Sequence, residues 1–266
     1  MPELPEVETI TRQLEHRLAG QKITAVKLHN TSIADKKVRT IKNRDIIQIY
    51  RRAKAIIMEL EGKQYLLFRL GMTGHFKFLP VQKNRVAEKH AIATFHLEDH
   101  SSLIFKDIRK FGSLRMLNET ELRQALQKLG PEPLGKEFTL AKFKEMLRSR
   151  PKAVIKTTLM DQNFIAGIGN IYAQEALFHA KIDPRRSIGS LSQAEEKILH
   201  QKLRKNLQAA ILQRGTTVQN YLNIEGAGKF QKFLAVYQKV KCPKKHPLTR
   251  IYQGSRSTFF CTKCQK

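Results

Sequence analysis

The sequence predicts an α+β fold: an N-terminal antiparallel β-rich domain with flanking helices, then a helical domain that ends in a cysteine-bearing hairpin. Three observations predict it. Short runs rich in β-branched and aromatic residues crowd the segment between residues 22 and 106. Helical periodicity takes over near Asn118 and lasts to about Leu212. All three cysteines fall in the last 25 of the 266 residues. A chain of this length can form more than one domain with a core of its own.

The elements follow in order. "MPELPEVETI" opens the chain, and Pro5 suits a first helical position, where a missing N–H costs nothing. Glu6 and Glu8 suit the positive end of a helix dipole. Val7, Ile10, Leu14 and Leu18 form an apolar stripe at helical spacing, and Gly20 stops the helix. "KITAVKL", "DIIQIY", "AIIMEL", "QYLLFRL", "AIATFHL" and "SLIFK" then read as strands of an antiparallel sandwich or barrel. "ETELRQALQKLG" is helical, and "PEPLGKE" is a boundary rich in Pro and Gly. The helical stretch from Thr139 is interrupted at "GIGN" and "IDPRRSIGS". The expected domains are 1–130, 131–230 and 231–266.

Lys and Arg number 49 against 23 Asp and Glu, a formal net charge of +26. A charge excess of this size attracts polyanions, nucleic acid first among them, and its self-repulsion disfavours a merely solubilising role. No run approaches the ~18 apolar residues of a membrane span, and the acidic N-terminus lacks the apolar stretch of an export signal. Three crowded cysteines argue against a disulfide framework and fit a cytoplasmic protein.

Several stretches carry chemistry. Removal of Met1 is the expected processing before proline, and it exposes the secondary amine of Pro2. An α-amino group titrates near pH ~8, so a neutral fraction is present at physiological pH. Such an amine attacks a sugar or carbonyl carbon to give an iminium, an electron sink for elimination. Glu3, adjoining it, can move protons. Glu6 has two readings, dipole compensation or catalysis. In "DIRKFG", Arg109 and Phe111 can fill a gap in a DNA stack, although a phenylalanine at a strand edge is more often buried. "RLGMTGH" is a glycine-flanked turn carrying Met72, a residue type that usually packs in a core. "AGIGNIYAQEAL" places Asn170 at a helix start, where free N–H groups suit a phosphate, and Lys156 lies upstream. Cys242 and His246 form a C-x3-H pair, followed after 14 residues by the Cys261/Cys264 knuckle. Four soft ligands at this spacing indicate one structural zinc. Arg250 and Arg256 lie between the pairs, where an arginine can grip a phosphate.

Together these stretches resemble the bacterial formamidopyrimidine-DNA glycosylase family from end to end. The likeness rests on "PELPEVET", "RRAK", "LGMTG", "EKH", "DIRKFG", "LGPEPL", "LMDQNFIAGIGNIYAQEALF", "QRGTT" and "STFFCTKCQ". It implies a β-sandwich N-terminal domain, a helix-two-turns-helix domain and a zinc-finger hairpin. It also implies a bifunctional enzyme that removes oxidised purines from damaged double-stranded DNA and cleaves the strand by β,δ-elimination. Leu4, where the oxidised-pyrimidine sister group has glycine, points to the purine branch. By the same resemblance Pro2 is the nucleophile, Glu3 the proton donor and Glu6 its support. Lys54 serves β-elimination, and Arg256 assists δ-elimination. His90, Arg109, Lys156, Asn170 and Arg256 contact the DNA, while Met72, Arg109 and Phe111 fill the gap left by the extruded base. The segment from Thr216 to Lys232 is the expected mobile loop. A bacterial, cytoplasmic, nucleoid-associated monomer with no membrane contact is implied. Two positions depart from the family pattern: Ala91 and Ile92 replace an acid and a histidine, and Lys245 stands where the finger's second cysteine is expected, with His246 next to it. Pyrimidine-lesion preference and a non-catalytic zinc-stabilised DNA- or RNA-binding role are the competing readings.

Overall fold

The computed structural model describes residues 2–81, 88–217, 224 and 226–266. The chain divides into two compact units, 1–128 with 214–229, and 129–213 with 230–266.

In the first unit, helix α1 (Leu4–Leu18) precedes eight strands: β1 (Lys22–Leu28), β2 (Arg44–Arg52), β3 (Ala55–Leu60), β4 (Gln64–Arg69), β5 (Gly74–Leu79), β6 (Ala91–Leu97), β7 (Ser102–Asp107) and β8 (Ser113–Asn118). All pairings are antiparallel, in the order β5-β7-β6-β1-β2-β3-β4-β8. Only Lys22↔Asp45 and Ile23↔Arg44 join β1 to β2, so the sheet folds there into two four-stranded layers. Phe68 of β4 closes the sandwich. It meets Phe76, Phe95 and Phe105 of the opposite layer edge-on at centroid distances of 5.1, 5.9 and 5.6 Å, a favoured aromatic geometry. The apolar stripe of α1 is buried in this same core. Strands β5 and β8 are the two that the sequence does not separate from the turns carrying Met72 and Phe111. Each begins within a residue or two of those turns, and glycines mask the start of its alternation.

Helix α2 (Glu119–Leu126) starts on an Asn118/Glu121 capping box. The second unit contains α3 (Leu140–Arg148), α4 (Ile155–Met160), α5 (Asn170–His179) and α6 (Gln193–Leu212). Helix α5 is buried around its whole circumference from Ile171 to Leu177, with Gln174 and Glu175 as a polar pair among apolar residues, as expected for a central helix. The chain ends in the hairpin β9 (Thr249–Gln253) and β10 (Arg256–Phe260). Gly254 and Ser255 both have positive φ (53° and 60°) in its two-residue turn, the geometry whose twist matches paired strands. Among the described residues no helix is long and apolar enough to cross a membrane.

Helix α1 is also tied to the sheet by charge. Arg51 Nε of β2 donates to Glu8 Oε2 at 2.7 Å, and Arg12 Nε donates to the other oxygen at 2.7 Å. Burial pushes the Glu8 carboxyl up, but the two arginines outweigh it and hold it below its ordinary 4.5. A depressed folded-state value stabilises the protein above 4.5, and that contribution is lost as pH falls through the folded value. Glu8→Gln is expected to cost about 1–2 kcal/mol at pH 7. Chemical denaturation across pH should show the gap between the two proteins closing in acid below 4.5.

Candidate active site and nucleic-acid interface

In the first unit the N-terminus is an internal part of the fold. Pro2 is buried ahead of α1, and Glu3 and Glu6 are 2% and 1% exposed. Glu3 precedes the helix, Leu4 opens it and Pro5 is its second residue, one position later than the sequence suggests. Glu6 Oε2 accepts from Glu3 N at 2.8 Å, and Glu6 Oε1 accepts from Thr216 N at 2.7 Å. One carboxyl group thus fixes both the approach to α1 and the distant "QRGTT" segment. Gly215 makes this contact possible: its φ is +80°, and a Cβ there would lie 2.8 Å from Glu6 Oε1. Nearby, Gly228 N donates to Thr217 Oγ1 at 2.7 Å. Residues 218–223 and 225, part of the expected mobile loop, lie outside the described residues.

Lys54 sits in the two-residue β2–β3 turn beside Ala53, whose φ is 53°. Arg51, held by Glu8, donates from Nη1 to Ala53 O at 2.9 Å and braces that turn. His90, exposed and also left-handed (φ 64°), immediately precedes β6. Glu88, two residues earlier, bridges Lys77 Nζ and Lys106 Nζ at 2.5 and 2.7 Å, and these lysines hold its carboxyl below the ordinary value. Ala91 and Ile92 are buried at the start of β6. Ile92 joins the sandwich core, and its carbonyl accepts from His29 N at 2.9 Å. Apolar side chains therefore fill this strand start, and its backbone is still paired.

Met72, Arg109 and Phe111 come together. Arg109 Cζ stands 4.6 Å from the Phe111 ring centroid, and its Nη1 donates to Met72 Sδ at 3.3 Å. Phe111 is 60% exposed rather than buried at a strand edge, and Met72 is half-buried rather than core. The two turns are in close backbone contact, Gly71 against Phe111.

In the second unit Lys156 is completely buried on α4. Asn170 is the first residue of α5 rather than its cap, a place taken by Gly169. The Asn170 side chain instead donates from Nδ2 to Ser257 O at 3.0 Å, and so reaches β10. Gln174, one turn on, accepts from Phe259 N at 2.6 Å and donates to Ser257 O at 3.1 Å. Glu175, 1% exposed, accepts from the backbone N–H groups of Ala235, Val236 and Tyr237 at 2.7, 3.0 and 2.8 Å. Sequence reasoning missed Gln174, Glu175 and Gly215. The only signal for the first two is a polar pair inside an otherwise apolar helix. Asn170, Tyr237, Arg250, Tyr252, Arg256 and Phe259 line a cleft of about 520 Å³. Arg250 stacks over Tyr252 and Phe259 at 5.2 and 5.6 Å, and Arg256 is exposed at the first position of β10. Fixed cations and aromatic faces in one cleft suit a sugar–phosphate chain.

Beside it, Cys242, His246, Cys261 and Cys264 present ligand atoms that all lie within 4.8 Å of one another. Cys242 Sγ and Cys264 Sγ are 4.0 Å apart, and His246 Nδ1 lies 3.3 Å from Cys264 Sγ and 3.7 Å from Cys261 Sγ. Tetrahedral metal bonds of ~2.3 Å to sulfur and ~2.0 Å to nitrogen put such atoms about 3.5–3.8 Å apart, so these four residues can hold a metal ion. Lys245 takes up a left-handed turn (φ 64°), and its N–H donates to Cys242 O at 2.8 Å, which brings His246 around to the thiols.

Comparison with known proteins gives a consistent result. Residues 1–114 match the formamidopyrimidine-DNA glycosylase N-terminal domain, and residues 129–221 match the formamidopyrimidine-DNA glycosylase H2TH domain. The formamidopyrimidine-DNA glycosylases of Heliobacterium modesticaldum and Herpetosiphon aurantiacus are 39% and 40% identical to this chain, with 100% of both chains covered in each case. Among solved structures, a Lactococcus lactis Fpg mutant in complex with DNA containing Fapy-dG superposes with a TM-score of 0.92 at 33% identity, and 100% of each chain is covered. The MutM (Fpg) protein of Thermus thermophilus gives 0.89 at 36%, over 99% of this chain and 98% of that one. The chain therefore belongs to the formamidopyrimidine-DNA glycosylase family.

Proposed function

We propose that this protein excises oxidised purines from damaged duplex DNA through the amine of Pro2, then cleaves the strand by β,δ-elimination. The observation that carries the reading is the anchored N-terminus: the Glu6 carboxylate holds Glu3 N at 2.8 Å and Thr216 N at 2.7 Å, so the residue before Glu3 is built into the fold. Once Met1 is removed, the lone pair of Pro2 N attacks C1′ of the damaged nucleotide. The glycosidic C1′–N bond breaks, and Glu3 supplies a proton to the departing base. The C1′–O4′ bond then breaks, O4′ takes up a proton, and the opened sugar is left as an iminium that acidifies C2′–H. Loss of that proton breaks C3′–O in β-elimination, a step assigned to Lys54, and a second elimination assisted by Arg256 breaks C5′–O. Water then hydrolyses the Schiff base and returns the amine.

His90, Arg109, Lys156, Asn170 and Arg256 are assigned to the DNA strand, and Met72, Arg109 and Phe111 to the gap left by the flipped base. Zinc is the ion proposed for Cys242, His246, Cys261 and Cys264. It supplies structure only, cross-linking the base of the hairpin that carries Arg256.

Borohydride reduction during incubation with an 8-oxoguanine duplex should trap a covalent adduct on Pro2. An adduct on an internal lysine, or active protein that retains Met1, would refute the assignment. Running the same trapping on oxidised-pyrimidine duplexes tests the lesion class.

Glu3→Gln should slow base removal by about 10²–10⁴-fold, the usual worth of a general acid. It should leave nicking of a preformed abasic site largely intact, because that substrate has no base to protonate. Equal losses in both assays would reassign Glu3.

Metal analysis should find about one zinc per chain. His246→Ala should lower zinc retention and DNA binding together, and the first unit should still melt as in the parent. Metal-free protein with full activity would remove zinc from the account.

A further inference from the structure

Asp107 ends β7 with no solvent exposure, and it is absent from the reaction described above. Its carboxylate serves two turns at once. Thr73 Oγ1 donates to Asp107 Oδ1 at 2.5 Å, and Thr73 belongs to the turn that carries Met72. Gly112 N donates to Oδ2 at 2.7 Å and Arg109 N to Oδ1 at 3.2 Å, both from the turn that carries Arg109 and Phe111. Thr73 Oγ1 in turn accepts from Arg109 N at 2.9 Å, so the hydroxyl relays one turn to the other.

The two turns are also pressed together. A Cβ on Gly71 would lie 2.5 Å from Phe111 C, and one on Gly112 would lie 2.6 Å from Arg69 O. Gly71 and Lys110 are both left-handed, with φ of 57° and 56°, and the lysine adopts that conformation at a cost. The side chains that project from these turns have little else to hold them. Phe111 is 60% exposed, and among the described residues the Arg109 guanidinium stacks on Phe111 and donates to Met72 Sδ.

We propose that Asp107, acting with Thr73, is a positioning residue for base-gap filling: it locks the Met72 turn and the Arg109–Phe111 turn into one preformed wedge. The proposal rests on the reading of Met72, Arg109 and Phe111 as gap-filling residues. Its physical content is preorganisation. A wedge ordered in the free protein enters a DNA stack without ordering two loops at that moment, so binding energy is not spent on them. A carboxylate is required because every partner is a donor. The isosteric amide would turn an N–H toward either Thr73 Oγ1 or Gly112 N, and the latter can only donate.

The test compares Asp107→Asn, Thr73→Val and Thr73→Ser with the parent in two measurements. One is affinity for a duplex containing a tetrahydrofuran abasic analogue relative to the same duplex undamaged. The other is fluorescence of 2-aminopurine in the strand opposite the analogue, which reports filling of the gap. Asp107→Asn should lower the affinity ratio roughly tenfold, as for loss of a hydrogen bond to a charged group, and shrink the fluorescence change. Thr73→Val should shift both the same way, and Thr73→Ser should restore them by returning the hydroxyl, a rescue that a loss of general stability does not give. An unchanged ratio in folded Asp107→Asn overturns the proposal. If that variant does not fold, an unchanged ratio in Thr73→Val overturns it. A triple Met72→Ala, Arg109→Ala, Phe111→Ala variant separates the two levels. A normal ratio in the triple variant defeats the gap-filling reading and this proposal with it. A lowered ratio there, with Asp107→Asn and Thr73→Val both normal, defeats this proposal alone.

Discussion

A buried carboxylate that accepts backbone N–H groups from a loop is the interaction on which the functional parts of both units depend. Glu6 holds Thr216 and Glu3, Asp107 holds Arg109 and Gly112, and Glu175 holds the run from Ala235 to Tyr237. In each case the acid stands on a helix or at the end of a strand, and the loop it holds carries or adjoins residues assigned to DNA or to chemistry. Loops need such anchors because they lack a ladder of their own, and a buried backbone N–H left without a partner costs about 1–3 kcal/mol.

The composition gives this device a further meaning. With 49 basic and 23 acidic residues, exposed acid would weaken the attraction for a polyanion. Several of the acids are placed where they shape the backbone and are hidden from the surface. Glu88 between Lys77 and Lys106, and Glu8 between Arg51 and Arg12, also set the positions of cations. The balance that remains is strongly basic, and the cations named here are fixed on a helix and on strands. This is the arrangement that phosphate contacts require if they are to fix register as well as supply attraction.

In the second unit the hairpin is secured twice. Gln174 and Asn170 fasten β10 to the start of α5 through backbone groups of Ser257 and Phe259. The Cys242, His246, Cys261 and Cys264 cluster closes the other end. At that end the left-handed turn at Lys245 brings the His246 imidazole to 3.3 Å from Cys264 Sγ.

Much of this protein was legible in its sequence because local rules carry it. The stripe from Val7 to Leu18 makes α1, alternating β-branched runs make six of the eight sandwich strands, and ligand spacing marks the metal cluster. The resemblance of "PELPEVET" and "GIGNIYA" to one family also survives as membership in it. What only the tertiary structure decided depends on residues far apart in the chain. Glu6 reaches Thr216 across 210 positions, and Gly215 is needed because any side chain there would strike that carboxylate. Phe111 faces solvent, against the habit of its residue type, because its turn is pinned by Asp107 and packed against Gly71. Asp107 and Thr73 meet across 34 positions through a single hydrogen bond. No periodicity or spacing encodes such a meeting, since it exists only once the sheet has brought the two turns together.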